Sequence, residues 1–397
     1  MEGLVNRAQY LDKLKKWKDK DLIKVVTGIR RCGKSTLFSL FIDYLKSTGV
    51  DDLHIIAINL ESLDNEFATY KELYDHVKSK IVDNEMHYVF LDEVQNVENF
   101  QKCVDGLFIV KNLDVYITGS NAFLLSGELA TLLTGRYVEI KMLPLSFKEY
   151  LSYYGTAVSE RAYVDYINKS SFPYALKLED EAQVDDYLDA LYNTIILKDV
   201  VQRHKIADIS LLKVLAQFMF SNIGNCLSVK KIVDTLNSQG KKISAHTVET
   251  YLNALVESYI FNKAERFDLK GRQYLQSGEK YYATDVAMRW ALLGRKNVDA
   301  GHMLENVVYL ELIRRGFKVY VGKMREKEID FVAENKDGFT YYQVAYTVRD
   351  SETLKRELLP LNSLKDHYPK YLLTMDVDPI SDYNGVKKLN VLDWLTE

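Results

Sequence analysis

The stretch Val25–Leu37 reads VVTGIRRCGKSTL. It begins as an apolar, β-branched run and ends as the first turn of an amphipathic helix, with glycines at 28 and 33. Gly28, four residues, then Gly33-Lys34-Ser35 fits G-x-x-x-x-G-K-[ST]. Glycines let such a loop wrap so that main-chain N–H groups converge on phosphate oxygens. A helix beginning near Lys34 adds its positive end. The expected roles are Lys34 on the β- and γ-phosphates and the Ser35 hydroxyl on Mg²⁺. Gly28, Arg30, Arg31, Cys32, Gly33, Lys34, Ser35 and Thr36 are the expected nucleotide-binding residues. Arg30 and Arg31 read either as phosphate contacts or as solvated cations, and Cys32 as a small filler.

Outward from this loop, strand-like and helix-like pieces alternate over the first ~145 residues. The β-rich runs are LIKVVT (22–27), LHIIAINL (53–60), HYVFLDE (87–93), DVYITGS (114–120) and RYVEIKML (136–143). Alternation of this kind implies an α/β fold with a mainly parallel sheet covered on both faces. An acidic pair should end a later strand, and Asp92-Glu93 does. Asp92 is the expected Mg²⁺ ligand with Ser35, and Glu93 the expected general base for water. Ser120 or Asn121, at another strand tip, reads equally as a group that positions water or as a helix cap. Arg136 reads as an arginine finger, in the same chain or toward a neighbour, or as a surface cation. The catalytic set is then Glu93, Lys34, Arg136 and Asn121. No N-K-x-D signature favours guanine, which leaves ATP as the expected nucleotide and Mg²⁺ as its ion.

The chain has 397 residues, 47% hydrophobic and 27% charged, with a net charge of −4. That length suggests two to four domains, and the charge confines any nucleic-acid surface to a local patch. Cys32, Cys103 and Cys226 have neither metal spacing nor a disulfide framework, which fits a reducing compartment. The charged beginning has no apolar signal region, and no run reaches the ~18 apolar residues of a membrane span. The expected location is the cytoplasm, with no membrane partner.

Four stretches together carry a resemblance: GIRRCGKST (28–36), YVFLDEVQN (88–96), YITGSNAFLLSGELATLLTGRYVEIKMLPLSFKEY (116–150) and KYYATDVAMR (280–289). They resemble a large, mostly uncharacterised prokaryotic family of AAA+-type ATPases with a C-terminal domain of unknown function. The most specific part is Leu133, Gly135, Arg136, Pro144 to Phe147 and Glu149. The resemblance implies an ATP-binding core, a winged-helix middle and a C-terminal α/β fold similar to restriction endonucleases. The expected spans are 1–145 for the P-loop core, 146–205 for a helical segment, 206–290 for the winged helix and 291–397 for the endonuclease-like domain.

In the middle region Ser228 and Ser244 read as caps of two helices separated at Gly240, with YIFNKAERFD (259–268) and EKYYATD (279–285) as the wing. Residues 205–285 carry eleven Lys/Arg and eight Asp/Glu, a net of only +3. The would-be recognition helix, 244–258, has no Lys or Arg and carries Glu249 and Glu257. Base edges could meet only His246, Thr247 or Thr250, and phosphates Lys230, Lys231, Lys241 or Lys242. Double-stranded DNA and a protein partner stay open as alternatives, as does a homo-oligomer. For the last region, the resemblance implies a metal site at Glu305, Asp330 and Gln343. Its expected lysine is Ala345, and Arg349 is four residues further on, so the site reads as degenerate. Glu311, Glu326 and Glu328 read as solvated charges. The reading is an ATPase whose nucleotide cycle drives or gates its C-terminal modules. Its alternatives are an ATP-regulated metal-dependent DNA nuclease and a nucleotide-gated switch with negligible turnover.

Overall fold

The computed structural model describes residues 5–122, 133, 135–238, 240, 243–271, 273–295, 299–324 and 327–397. Lys241, Lys242 and Glu326, and most of the stretch between Asn121 and Gly135, lie outside the described residues. The chain divides into two units, 1–144 with 257–259, and 145–256 with 260–397.

All five β-rich runs of the first unit become strands: β1 (Ile23–Thr27), β2 (Ile55–Asn59), β3 (His87–Asp92), β4 (Leu113–Gly119) and β5 (Tyr137–Lys141). They form one parallel sheet in the order β2-β3-β4-β1-β5. Side chains alternate between its faces. Val25, Leu91, Val115 and Ile117 join Leu73, Val77, Val104 and Leu107 of the helices Tyr70–Ser79 and Phe100–Phe108 in one core. On the alternate positions, Phe90 meets Phe38 of the helix Lys34–Ser47 at 5.1 Å, and Tyr116 meets Phe41 at 5.2 Å. A sheet buried on both sides needs near-continuous apolar strands, and β1, β3 and β4 supply them. The parallel strands place the ends of β1, β3 and β4 at one edge, since Thr27 pairs with Gly119 and Leu91 with Ile117.

The second unit opens with helices Phe147–Tyr154, Glu160–Lys169 and Glu181–Thr194. Ser146 and Glu149 form a reciprocal capping box at the first of them. A π-helical stretch, Ile195–Val201, follows the third. Next come the helix Ile209–Ser221, the two-residue strand β6 (Cys226–Leu227) and the helices Val229–Ser238 and Ala245–Glu257. The hairpin β7 (Phe261–Asp268) and β8 (Gln273–Ala283) closes this region. Ser228 and Ser244 cap as expected, accepting from Lys231 N–H at 3.2 Å and Thr247 N–H at 3.1 Å. Gly240 has φ of +84°, which suits a glycine between helices.

The last region carries the helix Ala300–Arg314 and the strands β9 (Lys318–Met324), β10 (Lys327–Asn335) and β11 (Gly338–Ala345). The helix Ser351–Asn362 and strands β12 (Lys370–Thr374), β13 (Ser381–Tyr383) and β14 (Val386–Asn390) complete it, with a final helix, Val391–Thr396. These six strands, the hairpin and β6 form one nine-stranded sheet, β13-β14-β12-β11-β10-β9-β7-β8-β6. The join is the parallel pairing of β7 with β9, in which Phe267 faces Gly322. The sheet therefore contains strands from both sides of residue 290.

Candidate nucleotide site

Loop Gly28–Gly33 leaves the end of β1 and enters the helix Lys34–Ser47. Gly28 has φ of +151°, and a Cβ there would lie 2.2 Å from the Met142 carbonyl oxygen. No side chain fits. Gly33 begins the helix at φ of +102°, in the left-handed region. Buried Arg7 donates to the Cys32 carbonyl at 3.0 Å and to the Leu143 carbonyl at 2.6 Å. The C=O and N–H of a trans peptide point opposite ways, so this grip turns the Gly33 N–H away from Arg7. Sequence reading missed Arg7, whose only signal was a lone cation before the first helix.

Lys34 is 3% exposed. Its ammonium donates to the Gly28 carbonyl at 3.1 Å and stands 3.2 Å from Glu93 Oε1. Burial alone would lower the Lys34 pKa, but Glu93, Cys32 and Asp92 together outweigh burial and raise it. For Glu93, burial pushes the carboxyl up, while Lys34, Gln95 and Arg30 together hold it below its usual value. Glu93 is therefore ionised at neutral pH. Its backbone is left-handed at φ of +55°, a costly state for a non-glycine residue and one often found at functional sites. Thr118 stabilises this turn by accepting the Glu93 N–H at 2.8 Å and donating to Asp92 Oδ1.

Asp92 is also buried, and burial raises its carboxyl despite the Ser35 and Thr118 hydroxyls beside it. A buried carboxylate beside a serine hydroxyl is a hard-oxygen donor set, which suits Mg²⁺. Asn121 and Ser120 follow β4 at the same edge, both with no exposed surface. Gln95 donates to Glu93 and stands 3.4 Å from Ser120 Oγ. Thr118 and Gln95 were missed from sequence; each sits within three residues of an expected site residue, which was the available signal. Arg30 pairs with Glu61 at 3.1 Å, whereas Arg31 is exposed at φ of +67°. Thr36 is half-buried in the first turn of the helix. The Cys32 thiol is fully buried, and burial raises its pKa, so it is an inert filler.

The structure does not bring Arg136 to this edge. Its carbonyl accepts the Ile23 N–H at 2.8 Å, at the start of β1. The length of β1, roughly 16 Å at ~3.3 Å per residue, separates it from the loop. Arg136 instead pairs with Asp105 at 2.6 Å and lies over the Phe108 ring at 5.7 Å. A finger role in the same chain's site does not fit this placement.

Glu305, Asp330 and Gln343 do come together in the second unit, and all three are buried. Gln343 Oε1 accepts from the Asp330 N–H at 3.4 Å, and its amide donates to Glu357 at 2.9 Å. Burial, then the Glu305 charge, raises the Asp330 carboxyl well above its usual value. Two expectations change here. Glu328 and Glu311 are not simply solvated: Glu328 pairs with Lys280 at 2.8 Å and Glu311 with Arg314 at 2.6 Å. A lysine does reach the cluster, from β8 and not from position 345.

His54, Asp83 and His87 also bring ligand atoms within 4.8 Å of one another. Both His87 ring nitrogens are already engaged, by the Glu85 carbonyl at 2.9 Å and the Val82 N–H at 3.2 Å. That leaves the His87 ring no lone pair for an ion.

With this geometry in view, residues 20–151 match the AAA domain family, which agrees with the strand order and the loop. Residues 160–299 match a Domain of unknown function (DUF8612). The chain is 37% identical over 402 residues to an uncharacterized protein of Haemophilus influenzae, covering all of both chains. It is 32% identical to an uncharacterized protein of Methanocaldococcus jannaschii, across 94% of this chain and 85% of that one. The chain belongs to the same family as these two proteins. Among solved structures it is similar to a Walker-type ATPase of Pyrococcus abyssi, with a TM-score of 0.51 and 16% identity. That match covers 73% of this chain and 96% of the other, and it supports the P-loop ATPase fold.

Proposed function

We propose that this chain binds ATP with Mg²⁺ and hydrolyses it by in-line attack of water on the γ-phosphate. The observation that carries the reading is the buried Lys34–Glu93 pair, 3.2 Å apart, at the strand edge where the glycine loop ends. Triphosphate oxygens would take Lys34 from Glu93, because they bring more negative charge to the same ammonium. Glu93, released and already ionised, then accepts the proton of the attacking water. Gln95 keeps that carboxylate aimed, and Ser120 or Asn121 orients the water. Ser35 and Asp92 would hold Mg²⁺, whose chemistry here is to neutralise charge on the phosphate oxygens. The base is thus freed by the arrival of substrate. Glu93→Gln should trap bound ATP and cut phosphate release by roughly 10²–10⁴-fold. Unchanged release would remove Glu93 from the role of base.

The coupling of this cycle to the rest of the chain belongs to the same proposal. The order helix, β6, helix, helix, hairpin supports a winged helix, within the spans 1–145, 146–205, 206–290 and 291–397. Its last helix, Ala245–Glu257, has no Lys or Arg and two glutamates, which favours a packing or protein-contacting module over a DNA reader. ATP turnover measured with and without double-stranded DNA decides between them; stimulation by DNA would reverse this choice. A reducing cytoplasm is the proposed location, since Cys32, Cys103 and Cys226 are all free thiols. Among the described residues no helix is long and apolar enough to cross a membrane.

A further inference from the structure

Four ionisable side chains meet inside the second unit, and one of them is a lysine. The Lys280 ammonium lies 2.9 Å from Glu305 Oε1, 2.8 Å from Glu328 Oε1 and 4.0 Å from Asp330 Oδ1. Its side chain is 5% exposed. Tyr282, two residues on and so on the same face of β8, donates to Glu305 Oε1 at 2.6 Å. Cys226 donates to Glu328 Oε2 at 3.2 Å, and the Val344 N–H to Asp330 Oδ2 at 2.8 Å.

Buried carboxylates beside an amide oxygen are the hard donor set that divalent ions take. Here the positive charge comes from the chain itself. An ammonium has three N–H donors, and Lys280 finds three carboxylates around it. We propose that Lys280 is the resident cation of this cluster, standing where a divalent ion would otherwise bind, and that it makes the C-terminal α/β fold a metal-independent module without nuclease activity. A metal ion and the ammonium cannot share the place. The ion would need Glu305 and Asp330 oxygens at ~2.1 Å, and the ammonium beside it would repel it. The same ion pairs tie the hairpin, the helix Ala300–Arg314 and β10 together. The proposal does not depend on the nucleotide reading.

The test uses the full, nucleotide-free chain carrying Asp92→Asn, which removes the other candidate ion site. Bound Mn²⁺ is counted by electron paramagnetic resonance, and thermal unfolding is followed in EDTA and in Mn²⁺. The parent should bind no Mn²⁺ at the cluster and melt at the same temperature in both buffers. Lys280→Ala should melt about 10 °C lower in EDTA and regain at least half of that in Mn²⁺, with one ion bound. Lys280→Arg keeps the charge and should behave as the parent. One Mn²⁺ bound by the parent overturns the proposal. So does Mn²⁺-dependent plasmid nicking by the wild-type chain that Asp330→Ala abolishes. A Lys280→Ala chain as stable as the parent, or one that Mn²⁺ does not rescue, overturns it as well. Should Lys280→Ala fail to fold, Lys280→Gln takes its place and the parent measurement still decides.

Discussion

Lys34 and Lys280 are both buried lysines that face carboxylates, one in each unit of the chain. In both, burial alone would lower the pKa, and neighbouring acids outweigh it and raise it. Their surroundings differ. Lys34 stands at the first turn of a helix, under two left-handed glycines, with one carboxylate partner. Main-chain N–H groups and a helix start attract anions, so that partner can be exchanged for a phosphate. Lys280 has no such surroundings. Three carboxylates surround it, one of them also accepting from the Tyr282 phenol, and such a cluster repels an incoming anion. A buried lysine therefore marks a ligand site only where the groups around it favour the ligand's charge.

Two substitutions test this contrast directly. Lys34→Ala should abolish binding of a fluorescent ATP analogue and lower turnover by at least roughly 10²–10³-fold. Lys280→Ala, which strips the counter-charge from buried carboxylates, should cost ~3–5 kcal/mol in EDTA. It should leave the affinity of the first unit for the nucleotide within about twofold. If Lys34→Ala lost stability but kept nucleotide affinity, the two sites would be the same kind of ion pair.

The first of these sites was readable in sequence; of the second, the resemblance pointed to Glu305, Asp330 and Gln343, but nothing pointed to Lys280. Gly28, Gly33, Lys34 and Ser35 lie within eight residues, and Asp92-Glu93 ends an unmistakable apolar strand. Local spacing sufficed there, because a loop between a strand and a helix builds most of the site. All five strands of the first sheet were legible for the same reason. Lys280 meets Glu305 and Asp330 only through tertiary packing, across gaps of 25 and 50 residues. The one local hint was Lys280 alternating with Tyr282 in a strand, which puts both on one face. Arg136 failed in the opposite way. It heads a genuine strand, but only the parallel register with β1 shows that this is the end remote from the loop.

Within the nucleotide site, the two neighbouring acids should respond oppositely to pH. Glu93 titrates below its usual value when folded. Its contribution to stability is present above the unfolded value of ~4.3 and is lost as pH falls through the folded one. Asp92 is raised when folded, so stability falls as pH climbs from the unfolded value of ~3.9 through the folded one. Without nucleotide or Mg²⁺, Asp92→Asn should therefore melt at or above the wild type at pH 7. Glu93→Gln should melt below it, and that gap should narrow on acidification toward pH 4. Thermal unfolding of both variants from pH 4 to 7 reads the signs. Parallel pH profiles would mean that Lys34 does not distinguish the two carboxylates.

The smallest effect is expected at Arg136. Its guanidinium side chain is 46% exposed, and its partner Asp105 is itself partly exposed. Solvent screens such a pair, which is worth at most ~1 kcal/mol. The ring contact with Phe108 at 5.7 Å adds little at an exposed position. Arg136→Ala should consequently shift the melting temperature by no more than a few degrees. Placed beyond the far end of β1, it should also leave the ATP turnover of dilute protein within about twofold of the wild type. A loss of tenfold or more at low protein concentration would mean that the guanidinium reaches the phosphates within its own chain. The register of β5 on β1 would then have to differ from the observed pairing of Ile23 with Tyr137.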